Sequence, residues 1–239
     1  MSAICYSLFV SENIISVIIP ALNEEAVIEG TLRSLTGISG VEIIVVDGGS
    51  SDNTVSIAKS FSHRVISAPR GRASQMNAGA RAASGNILFF LHSDCLPPPA
   101  FGRLLTGALE LPGVIAGAFD IRIGHGGKVY RIIERMANLR SRLTGIPYGD
   151  QGLFISRTIF ESNGGFSDIP IMEDIDMGQR LKRTGRIRFI SDHPVTVSPR
   201  RWLGNGILRT TITDWVLALA YGVLGVQPEK LASYYEDVR

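Results

Sequence analysis

The sequence predicts an α/β fold, a mostly parallel sheet flanked by helices, followed by a C-terminal helical extension. Over the first hundred residues short apolar runs rich in β-branched side chains alternate with helical patterns. Each run stops in a turn built from Pro, Gly, Asp or Ser, and past residue 94 the alternation gives way to longer elements and a last apolar helix. Repeated strand–helix units pair their strands in parallel, because each helix carries the chain back across one face of the sheet.

Ile14–Pro20 reads as a buried first strand stopped by proline. Asn23-Glu24-Glu25 opens a helix with Val27, Ile28, Leu32 and Leu35 on one face, closed by Gly37. Val41–Val46 is the second strand and closes in Asp47-Gly48-Gly49-Ser50-Ser51-Asp52, with a helix over 53–60 behind it. A shorter strand, Arg64–Ser67, leads through Pro69 and Gly71 into a helix over 73–83, and Asn86–Leu91 is the next strand. Pro97-Pro98-Pro99 then sets up a short helix to Glu110, and Val114–Ile123 is a longer strand. Over Lys128–Leu143 the pattern is amphipathic. Val129, Ile132, Ile133, Met136 and Leu143 form one stripe, and Lys128, Arg131, Arg135 and Arg142 another. Leu153–Ser156 is a strand, 173–184 a helix, Ile187–Ile190 and Val195–Val197 two short closing strands, and Gly206–Val226 an apolar helix.

The 239 residues suffice for one large core, and 45% hydrophobic with 19% charged residues is a globular composition. A formal charge of +2 gives no ground for a nucleic-acid partner. Cys5 and Cys95 stand far apart without metal-type spacing, so a reducing cytosol is the default and no disulfide framework is expected. The N-terminal apolar patch has no basic segment before it, which argues against a secretory signal, and no run reaches the length of a membrane span.

Chemistry-bearing residues cluster where predicted strands end. Leu88-Phe89-Phe90-Leu91 terminates in His92-Ser93-Asp94, and Met172-Glu173-Asp174 opens a later helix. In α/β proteins ligands lie beyond the carboxyl ends of strands, so one carboxylate there can hold a divalent cation and the other can act as a base. Pro20-Ala21-Leu22-Asn23-Glu24 offers a helix start with polar side chains, or a plain cap. Asp47 with Gly48 suits a nucleoside, or a tight turn. Arg72 and Asn77, on the helix after Gly71, suit phosphate or base, or a solvated face. Gly149-Asp150-Gln151-Gly152 is a polar turn fit for an acceptor, and Arg200-Arg201-Trp202 is either a diphosphate clamp or a surface loop. Cys95 lacks a paired histidine and reads as structural. A glycine-rich phosphate loop with Arg and Lys after the first strand is missing, which weighs against a nucleotidyltransferase, and the dinucleotide G-x-G-x-x-G fingerprint is missing too.

In order, Ser16–Glu24, Val45–Asp52, Asn77-Ala78-Gly79, Gly85–Asp94, Gly164-Gly165-Phe166 and Glu173-Asp174 resemble the family-2 glycosyltransferases, over roughly residues 14–200. Tyr148–Gly152 and Arg200-Arg201-Trp202 carry a narrower resemblance to small bacterial glycosyltransferases associated with arsenosugar biosynthesis or with radical-SAM selenodomain proteins. The resemblance implies the GT-A fold over residues 1–203, with residues 204–239 a helical extension packed on the same domain. It implies a cytoplasmic hexosyltransferase that moves sugar from a nucleotide-diphosphate donor to an acceptor hydroxyl with inversion. Pro20, Ala21, Asn23, Glu24, Asp47, Gly48, Arg72, Asn77, Ser93 and Asp94 would bind the donor, and Arg200, Arg201 and Trp202 its diphosphate. Asp150 and Gln151 would bind a small-molecule or lipid-linked acceptor, with Asp174 as base and Glu173 beside it. The implied cofactor is Mg²⁺ or Mn²⁺ on Asp94, weakly held. Three departures bear on these roles: Gly48 stands where the family has a second aspartate, His92 stands at the first position of its D-x-D motif, and Ser198 stands near its late histidine, with His193 displaced. With so reduced a metal motif, a non-catalytic nucleotide-sugar-binding module is the rival expectation. The apolar C-terminal helix is expected to cover an apolar surface of the domain and frame the acceptor cleft. Dimerisation or peripheral contact with the inner face of the membrane is the alternative.

Overall fold

The computed structural model describes residues 14–61 and 64–234. Cys5, the N-terminal apolar patch and the last residues of the extension lie outside the described residues. The strands are β1 (Ile15–Ala21), β2 (Val41–Asp47), β3 (Arg64–Ser67), β4 (Ile87–Phe90), β5 (Cys95–Leu96), β6 (Val114–Ile123), β7 (Leu153–Ser156) and β8 (Arg186–Val197). The helices are α1 (Ile28–Leu35), α2 (Thr54–Ser60), α3 (Arg72–Ala82), α4 (Phe101–Leu109), α5 (Lys128–Thr144), α6 (Arg157–Ser162), α7 (Glu173–Thr184), α8 (Arg200–Asn205), α9 (Ile207–Gly222) and α10 (Pro228–Ala232). One sheet runs in the order β3-β2-β1-β4-β7-β6-β8-β5.

The first four strands are parallel. The chain lays β2 and β3 to one side of β1, then returns to place β4 on the other side. That reversal leaves a crevice beyond the carboxyl ends of β1 and β4. Helix α3 reaches the sheet closely because Gly79 has no side chain: a Cβ there would lie 2.3 Å from Ile18 Cγ2. Beyond β4 the sheet is mixed. β7 is antiparallel to β4 and β6, β8 is parallel to β6, and the two-residue β5 caps the far edge.

Several elements differ from the sequence reading. The two expected closing strands are one continuous β8. Its register against β6 slips between Phe119 and Ile121, and Pro194, which has no N–H for the ladder, falls in that slip. Helix α1 starts at Ile28 rather than Asn23, and β5, α6 and α8 were not expected. Each is six residues or shorter, too short for periodicity to register.

Helix α5 is turned the other way round. Its buried side carries Tyr130, Ile133, Glu134, Asn138 and Ser141, while four of the five residues of the apolar stripe, Val129, Ile132, Met136 and Leu143, are exposed. The cause lies in β6. β7 pairs with it only at Ala116 and Gly117, so the backbone at Ile121 and Ile123 lacks a second strand neighbour. Asn138 supplies both partners for Ile121, accepting from its N–H at 2.8 Å and donating to its carbonyl at 3.0 Å, and Glu134 accepts from Ile123 N–H. Unpaired buried backbone groups are costly enough to override the apolar stripe. Asn138→Ala should therefore lower stability by about 1–3 kcal/mol, read as a shift in denaturant midpoint, and an unchanged midpoint would refute this account.

The C-terminal segment buries less than expected. Thr210 and Leu217 are the buried residues of α9, and Leu217 packs with Ile146, Ile171, Met172, Ile175 and Leu231 in a small separate cluster. Among the described residues no helix is long and apolar enough to cross a membrane.

Candidate active site

Arg200, on the first turn of α8, spans the crevice. Its Nη2 donates to Glu24 Oε1 at 2.9 Å and its Nε to Asp94 Oδ2 at 3.1 Å, so one guanidinium ties the loop after β1 to the end of β4. Backbone geometry brings it there: Ser198 N–H donates to the Asp94 carbonyl at 3.1 Å, which seats the end of β8 beside Asp94. Burial works against the charge of Arg200, but Glu24 and Asp94 more than compensate and raise its pKa. A half-buried cation on two carboxylates is the pattern that recognises phosphate oxygens once a ligand competes for it.

A second arginine enters from α3. Arg72 Nε donates to Glu173 Oε1 at 2.8 Å, and Glu173 is only 2% exposed. Burial raises the Glu173 carboxyl, opposed by Arg72. Glu173 thus stands behind Arg72 and does not line the cleft, whereas Arg72 does. One turn along α3, Gln75 Nε2 donates to the carbonyls of Ala21 at 2.8 Å and Val46 at 2.7 Å, pinning the ends of β1 and β2. In the sequence Gln75 is one of several amide donors at the start of this helix, without its partners being shown. Its i, i+3 spacing from Arg72 was the available signal.

Asp174 lines the same cleft as the two arginines. Its Oδ2 accepts from Gly149 N–H at 2.7 Å and its Oδ1 from Ile175 N–H at 2.8 Å, leaving lone pairs on both oxygens for another partner. Met172, just before it, holds a left-handed backbone (φ 69°) that turns the chain sharply into α7. Gly149 is pinched at this point: a Cβ there would lie 2.8 Å from His92 Nε2 and 3.4 Å from Asp174 Oδ2. Burial, then Arg72, lowers the His92 pKa to about 4, so the ring is neutral near pH 7. Asp150 lines the same cleft. Burial pushes its carboxyl up to about 6, with Arg140 opposing and Asp214 and Asp174 adding to the rise.

The far wall came from tertiary contacts that sequence reading missed. The Arg140 guanidinium lies 3.6 Å from the centre of the Tyr148 ring and 5.0 Å from that of Trp215, and Arg201 pairs with Asp214 at 2.9 Å. The cleft encloses about 210 Å³ between these groups and Arg200.

Of the sequence candidates, Glu24, Arg72, Ser93, Asp94, Asp150, Asp174, Arg200, Arg201 and Trp202 meet at this cleft. Others are occupied elsewhere. Asn77, expected to contact the donor, is engaged by the Gly164-Gly165-Phe166 turn, donating to the Phe166 carbonyl at 2.8 Å and accepting from its N–H at 2.9 Å. Gln151, expected to contact the acceptor, is buried and accepts from Tyr148 N–H at 3.0 Å, while its Nε2 has no partner among the described residues. Asp47 accepts from Gly49 N–H at 3.0 Å and Ser50 N–H at 3.1 Å, and Gly48 packs on Gln75. Asn23 accepts from Ser51 N–H at 2.9 Å, and Pro20 and Ala21 are buried in β1. Trp202 belongs mainly to the main core. His193 is exposed on β8 away from the cleft, and Cys95 is buried with its thiol pushed well up by burial.

A divalent ion of the Mg²⁺ or Mn²⁺ type needs one or two carboxylates plus phosphate oxygens and water. Among the described residues no group of three or more His, Cys, Asp or Glu could enclose an ion. Asp94 alone fits an ion carried largely by a diphosphate, and Arg200 already holds one of its oxygens.

The sheet and its cleft have counterparts among known proteins. The family model "Glycosyl transferase family 2" matches residues 16–164, more than half of the chain, and the protein belongs to that family. A probable glycosyltransferase YdaM of Bacillus subtilis is 29% identical over 208 residues, covering 73% of this chain and 48% of its own. Glucosyl-3-phosphoglycerate synthase of Mycobacterium tuberculosis is 38% identical over 161 residues, 54% of this chain and 49% of its own. The chain therefore spans about half the length of these curated relatives. The crystal structure of that synthase with Mn²⁺, UDP and glucosyl-3-phosphoglycerate superposes with a TM-score of 0.58 at 27% identity, covering 85% of this chain and 78% of that one. A mannosyltransferase from Pyrobaculum calidifontis, in complex with GDP-Man and Mn²⁺, gives 0.65 at 21% identity, over 94% and 65% of the two chains, a likeness of fold.

Proposed function

We propose that the chain transfers a sugar from a nucleotide-diphosphate sugar to an acceptor hydroxyl, with inversion. The observation that carries this is one cleft lined by Arg72, Arg200, Asp94 and the backbone-anchored Asp174. The arginines bind the diphosphate and meet the charge that grows on it as the glycosidic bond breaks. Asp174 accepts the acceptor's proton as its oxygen attacks the anomeric carbon, and Glu173 positions Arg72 rather than touching substrate. A divalent ion, where bound, supplies further charge neutralisation on the diphosphate, with Asp94 as its protein ligand. Asp150 is a second reading for the base, favoured by its carboxyl near 6, which is well placed for proton transfer at neutral pH.

The test is a panel of nucleotide sugars scored by thermal shift with and without Mn²⁺, then donor hydrolysis or transfer with the best binder. Asp94→Ala should abolish the Mn²⁺-dependent part of donor binding with the fold intact. Unchanged Mn²⁺-dependent affinity would remove Asp94 from the metal, and no donor binding in the wild type would remove the proposal.

A further inference from the structure

We infer that the exposed apolar faces of α5 and α9 dock the protein on an anionic lipid bilayer. On α5 the solvent face is a helical stripe of Val129, Ile132, Met136, Leu139 and Leu143, each between 42% and 77% exposed. On α9 Leu208, Ile212, Val216 and Leu219, with Val223 at its C-cap, form a second stripe, 51% to 73% exposed. The two adjoin, because Arg140 of α5 lies against the Trp215 ring of α9. Leu139 neighbours Arg140 and Leu143 is one turn on, while Ile212, Val216 and Leu219 lie within a turn of Trp215. Isolated apolar side chains on a surface need no explanation, but two adjoining helical stripes do.

Charge selects the occupant. Lys128 and Arg135 are exposed along the α5 stripe, Arg142 is exposed there while also reaching Asp120, and Arg209 is exposed on α9. The acidic residues of the two helices, Glu134 and Asp214, are engaged by Arg131 and Arg201. Apolar stripes bordered by cations that can reach up to phosphate groups are the pattern of interfacial helices. A second copy of the chain suits the face less well, because two copies of it in contact would bring two cation-bordered surfaces together. The buried polar face of α5, committed to β6, also keeps the helix from turning its apolar stripe inward. Arg140, Asp214 and Ala218 of the same helices line the cleft, so a bilayer on this face would lie next to its far wall.

Flotation of the intact protein with phosphatidylcholine vesicles, with and without phosphatidylglycerol, tests this. Retention should be at least ~10-fold higher on the anionic vesicles, and weakened but not abolished by high salt. Leu139→Glu and Ile212→Glu should each remove it with an unchanged thermal midpoint, whereas Leu111→Glu, an exposed apolar site elsewhere, should not. Absence of retention on either vesicle, equal retention of all variants, or a dimer that Leu139→Glu splits without any vesicle retention would each overturn the inference. Retention is read without donor or acceptor, so its failure is distinct from failure of the transfer assay.

Discussion

Asp174→Asn is expected to cut turnover at least ~100-fold while donor affinity stays near that of the wild type. The carboxylate accepts from Gly149 N–H through one oxygen and Ile175 N–H through the other. An amide can accept through its oxygen only, so one N–H donor would face an NH₂ group. A modest drop in melting temperature should therefore accompany the loss of activity, and donor titration separates the two effects. Single-turnover rates near those of the wild type would move the base elsewhere. Asp150→Asn would then be expected to remove the acid limb of the kcat/KM profile near pH 6. Its carboxyl is raised, so the basic form is lost as pH falls through that value.

The second large effect is expected at Arg200. Arg200→Ala should weaken nucleotide-sugar binding roughly 10- to 100-fold, the range for hydrogen bonds to charged groups, and lower stability as well. Glu24 is 9% exposed and loses both of its guanidinium contacts, at a cost of about 1–3 kcal/mol. Arg200→Lys should recover only part of the affinity, because an ammonium cannot present the planar fork that spans Glu24 and Asp94. Isothermal titration with the preferred donor checks both variants. Wild-type affinity in Arg200→Ala would show that the guanidinium is a purely structural tie.

Of the four parallel strands β1, β2 and β4 were legible as short, mostly buried apolar runs ended by a turn, a signal that does not depend on what packs over them. β3, which is exposed at both ends, was legible as a short run before Pro69 and Gly71. The position of Asp94 and Asp174 at the cleft was legible for a related reason: strand ends and helix starts are visible in sequence. Arg200 was visible only as one of two adjacent arginines. Which of them reaches the crevice depended on the Ser198–Asp94 backbone contact, 104 residues apart in the chain.

By itself the sequence determined the parallel strands and the polar residue types at their carboxyl ends, because these rest on local periodicity and turn chemistry. The strand order that makes the switch point came from the tertiary structure. Tertiary structure alone decided which polar groups are spent. Asn77 closes a turn 89 residues away, Gln75 ties two strand ends, and Asn138 completes a strand that lacks a neighbour. A hydrogen-bonding side chain looks the same in sequence whether its partner is a ligand or a distant backbone. Helix α5 is the plainest case. Its periodicity located an amphipathic helix, but the unpaired edge of β6 chose the polar face for the interior and left the apolar stripe facing outward.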